Sequence, residues 1–124
     1  MNGTDIFIDT NICIYLLNGD IVLAELLQDQ NVYLSIITEI ELYAYHGNNA
    51  LALQILNNFL ESVSIINIDQ KVKLSTIEIR KKAKLKLPDC IVAASALSYN
   101  LPLLTADKDF KRVEFLDLIS YENI

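Results

Sequence analysis

The 124 residues carry ten Lys and Arg against 16 Asp and Glu, for a net charge of −6, and 52% are hydrophobic. That length suits one domain over 1–124 with an ordinary core, and no apolar stretch is long enough to cross a bilayer. No basic residue precedes the first apolar run as a signal peptide requires, and two cysteines, Cys13 and Cys90, make no disulfide framework: both are expected to be buried free thiols in a reduced, cytoplasmic setting.

Residues 5–9 form a short apolar run ending in Asp9, expected to be a buried strand. Residues 11–17 are apolar at helical spacing and stop at Asn18-Gly19, a helix-terminating signal. Asp20 can cap a second helix to about residue 28. Residues 32–36 are β-rich and give a second strand. Thr38 is expected to open a helix to about residue 45, ending at His46-Gly47, with His46 at the surface. A long helix over 49–62 and a third strand over 64–68 follow. Asp69 caps a helix that runs into the basic stretch. Pro88 suits the first turn of a helix to about residue 99, which Asn100 and Pro102 break. Residues 103–105 form a fourth strand and 118–121 a possible fifth. Strands alternating with helices predict an α/β fold, a three-layer sandwich with a mostly parallel sheet of four to five strands.

The charge is unevenly spread. All ten Lys and Arg lie between Lys71 and Arg112, and the segment before Lys71 has acids and no base. The densest part holds Arg80, Lys81, Lys82, Lys84 and Lys86. Such a run is usually a solvated helix face; its functional alternative is an edge that contacts nucleic-acid phosphates beside the acidic cluster. The apolar excess fits a Leu/Ile-rich core or a surface kept for a partner or a second copy.

Four acids share one situation. Asp9, Glu41, Asp89 and Asp107 each sit where an apolar segment stops or a helix starts. In a parallel sheet those positions gather at the carboxyl edge of the strands, where ligands bind. Each has a local explanation. Asp9 can cap a helix, Thr38 and Glu41 fit a capping box, Asp89 suits a helix N-terminus, and Asp107 can cap a turn before Phe110. Capping does not explain why all four meet on one rim, whereas a divalent cation does: crowded carboxylates repel without one. Thr10, Asn11 and Thr105 add neutral groups able to orient a carboxylate, a water or a phosphate, and Asp109 is a candidate outer ligand. Asp5 begins the strand that Asp9 ends, so it lies at the opposite edge, roughly 13 Å away at ~3.3 Å per residue.

The pieces Phe7-Ile8-Asp9-Thr10-Asn11 and Ser35-Ile36-Ile37-Thr38-Glu39-Ile40-Glu41-Leu42 resemble PIN-domain ribonucleases. So do Leu87-Pro88-Asp89-Cys90-Ile91-Val92-Ala93-Ala94-Ser95-Ala96 and Leu104-Thr105-Ala106-Asp107-Lys108-Asp109-Phe110. The match is to the VapC-type toxins of toxin–antitoxin pairs and spans the chain in order. The resemblance implies Asp9, Glu41, Asp89 and Asp107 as metal-binding catalytic acids with one or two Mg²⁺ or Mn²⁺ ions. It implies hydrolysis of RNA by metal-activated water, leaving a 3′-hydroxyl and a 5′-phosphate. It also implies a homodimer restrained by a cognate antitoxin. The alternative is a PIN fold serving as a protein-interaction or RNA-binding module without nuclease activity. A response-regulator receiver fits less well, since Thr10 and Asn11 stand where paired acids are wanted. A haloacid-dehalogenase-like phosphatase wants a second Asp where this chain has Asn11.

Overall fold

The computed structural model describes residues 3–45 and 47–122; the expectation for His46 falls outside them. In chain order the elements are β1 (Asp5–Ile8), α1 (Thr10–Leu17), α2 (Ile21–Leu27), β2 (Asn31–Ser35), α3 (Ile36–Ala44), α4 (Ala50–Glu61), β3 (Ser64–Ile66), α5 (Gln70–Lys82), α6 (Leu87–Ser98), β4 (Leu103–Thr105), a 3₁₀ turn (Lys108–Arg112) and β5 (Leu118–Ser120).

The five strands form one sheet in the order β3-β2-β1-β4-β5, and every pairing is parallel. The α/β sandwich expected from the alternating pattern is borne out. β1 is central and reads Asp-Ile-Phe-Ile, with its last three residues buried, because a parallel strand covered on both faces has no solvent side to keep polar. Phe7 and Leu103 point into a core beneath α5 and α6. Ile6, Ile8, Leu34 and Leu104 point into a second core beneath the helices of the first half. Two apolar layers, one on each sheet face, make the three-layer arrangement. Cys13 and Cys90 are buried and free, as expected.

Local chemistry sets the helix ends. Gly19 adopts φ +92°, the left-handed conformation glycine takes at little cost, and so ends α1 and turns the chain into Asp20, whose carboxylate caps α2 through the Leu23 N–H. α6 is apolar nearly all round, and residues 90–96 are all buried. Its three alanines let it sit close to the sheet and to α5.

α3 departs from expectation. It starts at Ile36, not Thr38, because the Ser35 hydroxyl accepts the Ile37 N–H at 3.1 Å and caps it. The β-branched Ile36 and Ile37 read as the end of a strand, and the cap before them overrides that preference. β3 stops at Ile66, two residues early, and α5 stops at Lys82, so the basic stretch is split between a helix end and a loop. Three non-glycine residues have positive φ: Asp29, Asn100 and Phe115. Asp and Asn tolerate that region; a bulky side chain there costs roughly 1–2 kcal/mol.

Replacing Ser35 by Ala is expected to destabilise the fold by about 1 kcal/mol, since it removes the α3 cap and leaves a backbone N–H without its partner. Urea denaturation measures this, and a negligible change would place the start of α3 elsewhere.

Candidate active site

Order 3-2-1-4-5 means the chain winds outward from β1 in one direction and then returns to the other side of it at β4. The reversal leaves a crevice at the carboxyl ends of β1 and β4, the place where parallel sheets bind ligands. Asp9 is the first residue past β1, and Thr105 is the last of β4. The Thr105 hydroxyl donates to Asp9 Oδ2, while the Ile12 N–H donates to Asp9 Oδ1 at 3.0 Å. Asp9 is therefore a helix cap as well, and one function does not displace the other. The Asp107 N–H donates to the Thr105 hydroxyl at 3.0 Å, so the chain segment after β4 is tied to Asp9 through Thr105. Asp107 in turn caps the 3₁₀ turn by accepting the Asp109 N–H at 2.9 Å, as anticipated for a turn before Phe110.

Glu41 is not part of a capping box. It lies in the second turn of α3, and its Oε1 accepts from the Thr10 hydroxyl at 2.6 Å. Thr10 is also 3.1 Å from the Thr38 hydroxyl. Thr38, expected to cap, is instead fully buried inside the helix. A hydroxyl has one proton, so Thr38 donates to Thr10 and Thr10 to Glu41. Thr10 is one of the neutral groups expected to orient a carboxylate; the part of Thr38 was not read from the sequence, although its three-residue spacing from Glu41 puts both on one helix face. Asp89 is the third residue of α6, inside the first turn that Pro88 opens, where the helix dipole favours an acid.

Asp9, Glu41, Asp89 and Asp107 line one open cavity of about 160 Å³, together with Thr10 and Asn11. Asp109 stands outside that lining, with its carboxylate paired to Arg112 at 3.2 Å. Asp5 is bonded to Asn31 at the other end of β1. The basic stretch divides. Arg80 donates to the Leu85 carbonyl and Lys82 pairs with Glu78 at 3.6 Å. The Lys84 carbonyl accepts from Arg112. Lys81 is exposed in the last turn of α5. Lys86 precedes α6, and its charge draws the Asp89 pKa down in part.

The electrostatics follow from this geometry. Asp9 is 5% exposed, and burial raises its pKa more than the bonds from Thr105 and Ile12 lower it, with Asp107 and Asp89 adding repulsion. Burial likewise raises Asp89, reinforced by Asp107 and Glu41. Both anions are disfavoured where they stand, which a bound cation would reverse. The donors are hard oxygens without a sulfur or imidazole among them, the set that suits Mg²⁺ or Mn²⁺. Among the described residues no three acidic, His or Cys side chains converge tightly enough to enclose an ion. An open acidic cavity fits Mg²⁺ all the same, because that ion retains several waters and takes few direct protein ligands.

Residues 6–116 match the family model described as PIN domain. Among solved structures, the chain aligns at 30% identity and TM-score 0.81 with a chain of a toxin-antitoxin complex from Klebsiella pneumoniae, covering 95% of this chain and 99% of that one. It aligns at 26% identity and TM-score 0.81 with a chain of VapBC2 from Rickettsia felis bound to a DNA fragment from its promoter, with 95% and 99% covered. A chain of VapBC-1 from nontypeable Haemophilus influenzae, at 24% identity and TM-score 0.80, shares the fold over 94% and 97% of the two chains. No curated protein matches. The resemblance to VapC-type toxins read from the sequence is borne out.

The raised Asp9 pKa sets a pH dependence in metal-free protein. A carboxyl whose folded pKa lies above its unfolded value holds its proton more firmly when folded. Its stabilising contribution is complete below the unfolded pKa of about 3.8 and is lost as pH rises through the folded value. Asp9→Asn is therefore expected to flatten the decline in stability above that point and to melt higher than the parent at neutral pH. Thermal melts across pH in EDTA read the difference, and parallel curves for the two proteins would refute the assignment.

Proposed function

The chain belongs to the PIN-domain family, and from that premise we propose that it is a metal-dependent endoribonuclease, the toxin of a toxin–antitoxin pair acting in the cytoplasm. The observation that carries this reading is the single acidic cavity shared by Asp9, Glu41, Asp89 and Asp107, in which burial and mutual repulsion raise Asp9 and Asp89.

Asp9, Glu41, Asp89 and Asp107 are the residues that would hold Mg²⁺ or Mn²⁺, through few direct bonds and retained waters. When bound, the ion supplies an activated water and neutralises charge on a phosphodiester. The remaining tasks fall to the chain. Thr105 fixes the Asp9 rotamer, and Thr38 and Thr10 fix Glu41, so the carboxylates are held in place before substrate arrives. Glu41 and Asp107 present acceptors to a water proton at the mouth of the cavity. Asn11, exposed on its edge, is placed to donate to a phosphate oxygen. Lys86 stands beside Asp89 and can meet the phosphate charge that the acids repel. Single-stranded or looped RNA suits an open cavity best, because a flexible strand can take up an in-line geometry.

The partner reading rests on a second cavity. Ile14, Leu17, Leu42, Ile55 and Leu56 line an apolar groove of about 230 Å³ between α1, α3 and α4, and Glu41 lines this groove as well as the acidic cavity. An antitoxin bringing an apolar helix and an Arg or Lys would fill the groove and meet the carboxylates together. The homodimer is part of the same reading; Leu74 and Ile77, exposed on α5, offer apolar surface to a second copy.

Asp9→Asn, Asp89→Asn and Asp107→Asn are each expected to fold and to lower Mg²⁺-dependent RNA cleavage by about a hundredfold or more. Asp5→Asn should cleave as the parent does. Adding Mg²⁺ or Mn²⁺ to EDTA-treated protein should raise its melting temperature, by mass action on the folded state. Expressed alone in bacteria the chain should slow growth, and a co-expressed small protein encoded beside it should restore it. Cleavage that survives Asp9→Asn, or RNA binding without any cleavage, would favour the binding-module alternative.

A further inference from the structure

Phe115 is 92% exposed, the most exposed large hydrophobic side chain among the described residues, and its φ is +67°. Neither property contributes to the core, and the backbone conformation is one that bulky residues avoid. The ring borders an open cavity of about 200 Å³ whose floor is apolar, from Ile79, Ala83, Leu97 and Val113. Lys82 and Arg112 stand on the rim with Glu78 and Glu114. The lining itself is balanced, two cations against two acids, while the two chain segments that meet there, 78–86 and 108–115, hold eight of the ten cations and three acids. Lys82–Glu78 and Arg112–Asp109 are ion pairs with more than half of each side chain exposed, so they are weak and open to exchange with phosphate.

The patch also connects to the acidic cavity. Asp107 caps the turn through Asp109, Asp109 pairs with Arg112, and Arg112 borders the Phe115 cavity and bonds the Lys84 carbonyl. An exposed aromatic among surface cations is the arrangement by which proteins hold single strands: bases stack on the ring while the cations follow the phosphates.

We infer that Phe115 is a stacking platform for an unpaired base of the RNA strand, with Lys82 and Arg112 taking its flanking phosphates. This rests on the ribonuclease reading and names where the strand runs outside the acidic cavity. The platform reads no particular base, since every base has a stacking face.

The chain contains no tryptophan, so Phe115→Trp in an Asp9→Asn background gives emission from this one position, in a protein that does not cut its ligand. A short oligouridylate is expected to quench that emission, and duplex RNA of the same length much less. In the same background Phe115→Ala should bind the oligouridylate roughly tenfold more weakly with its salt dependence unchanged, and Phe115→Trp should restore affinity. Lys82→Ala and Arg112→Ala should each flatten the salt slope by about one. Unchanged affinity in Phe115→Ala overturns the platform and leaves the nuclease reading standing, whereas an Asp9→Asn protein that binds no RNA overturns both. A shift from dimer to monomer on Phe115→Ala, with RNA affinity unaltered, would assign the ring to a second copy and overturn the platform too.

Discussion

The hydroxyl of Thr105 bonded to the carboxylate of Asp9 joins the two strands between which the sheet changes winding direction. β1 and β4 are far apart in the chain and adjacent in the sheet. Their pairing brings Phe7 beside Leu103 and Ile8 beside Leu104, which fixes Asp9 and Thr105 on the same rim one step later. From there the constraint spreads: Asp9 starts α1 through Ile12, and Thr105 holds Asp107 through its backbone. The cavity is thus assembled from three separate chain segments by a few bonds around one buried carboxylate. A group so placed bears a cost, because two hydrogen bonds do not replace the water that burial removes.

That cost decides between readings of the acids. A carboxylate acting only as a helix cap gains from the dipole and the N–H it accepts, and its pKa falls. Asp69, exposed at the start of α5, has its pKa lowered, first by the hydrogen bond from Tyr99 and then by its cap to the Val72 N–H. Asp9 makes a comparable cap and has its pKa raised. The difference lies in burial and in the neighbouring acids, so capping accounts for the bond at Asp9 and leaves its surroundings unexplained. That repulsion is the term a bound cation would relieve.

How far the sequence alone carries depends on where each signal resides. β1, β4 and α6 were legible because apolar runs of those lengths, closed by Asp9, by Thr105 and opened by Pro88, admit few alternatives. The gathering of the acids was legible because strand ends in a parallel sheet converge. The start of α3 was not, since Ile36 and Ile37 favour a strand and the local Ser35 cap outweighs that preference. The fate of the basic stretch was hidden for a similar reason. Its residues look alike in sequence, yet Arg80 turns back to a carbonyl, Lys82 pairs along its own helix, and Lys86 acts on Asp89 through its charge. Phe115 gave no signal at all: phenylalanine is not a turn residue, and nothing in its neighbours marks a left-handed backbone.

The division of charge along the chain then takes on spatial meaning. The half without cations supplies the apolar groove and two of the acids, Asp9 and Glu41. The half with every cation supplies Asp89, Asp107 and the surface around them. A polyanion would be repelled by the first half and attracted by the second, which favours its approach over the α5–α6 side. A cationic, apolar peptide meets the opposite preferences and is drawn to the groove beside α1 and α4. Glu41 borders both the groove and the acidic cavity. A ligand seated in the groove and one seated in the acidic cavity would therefore share that carboxylate.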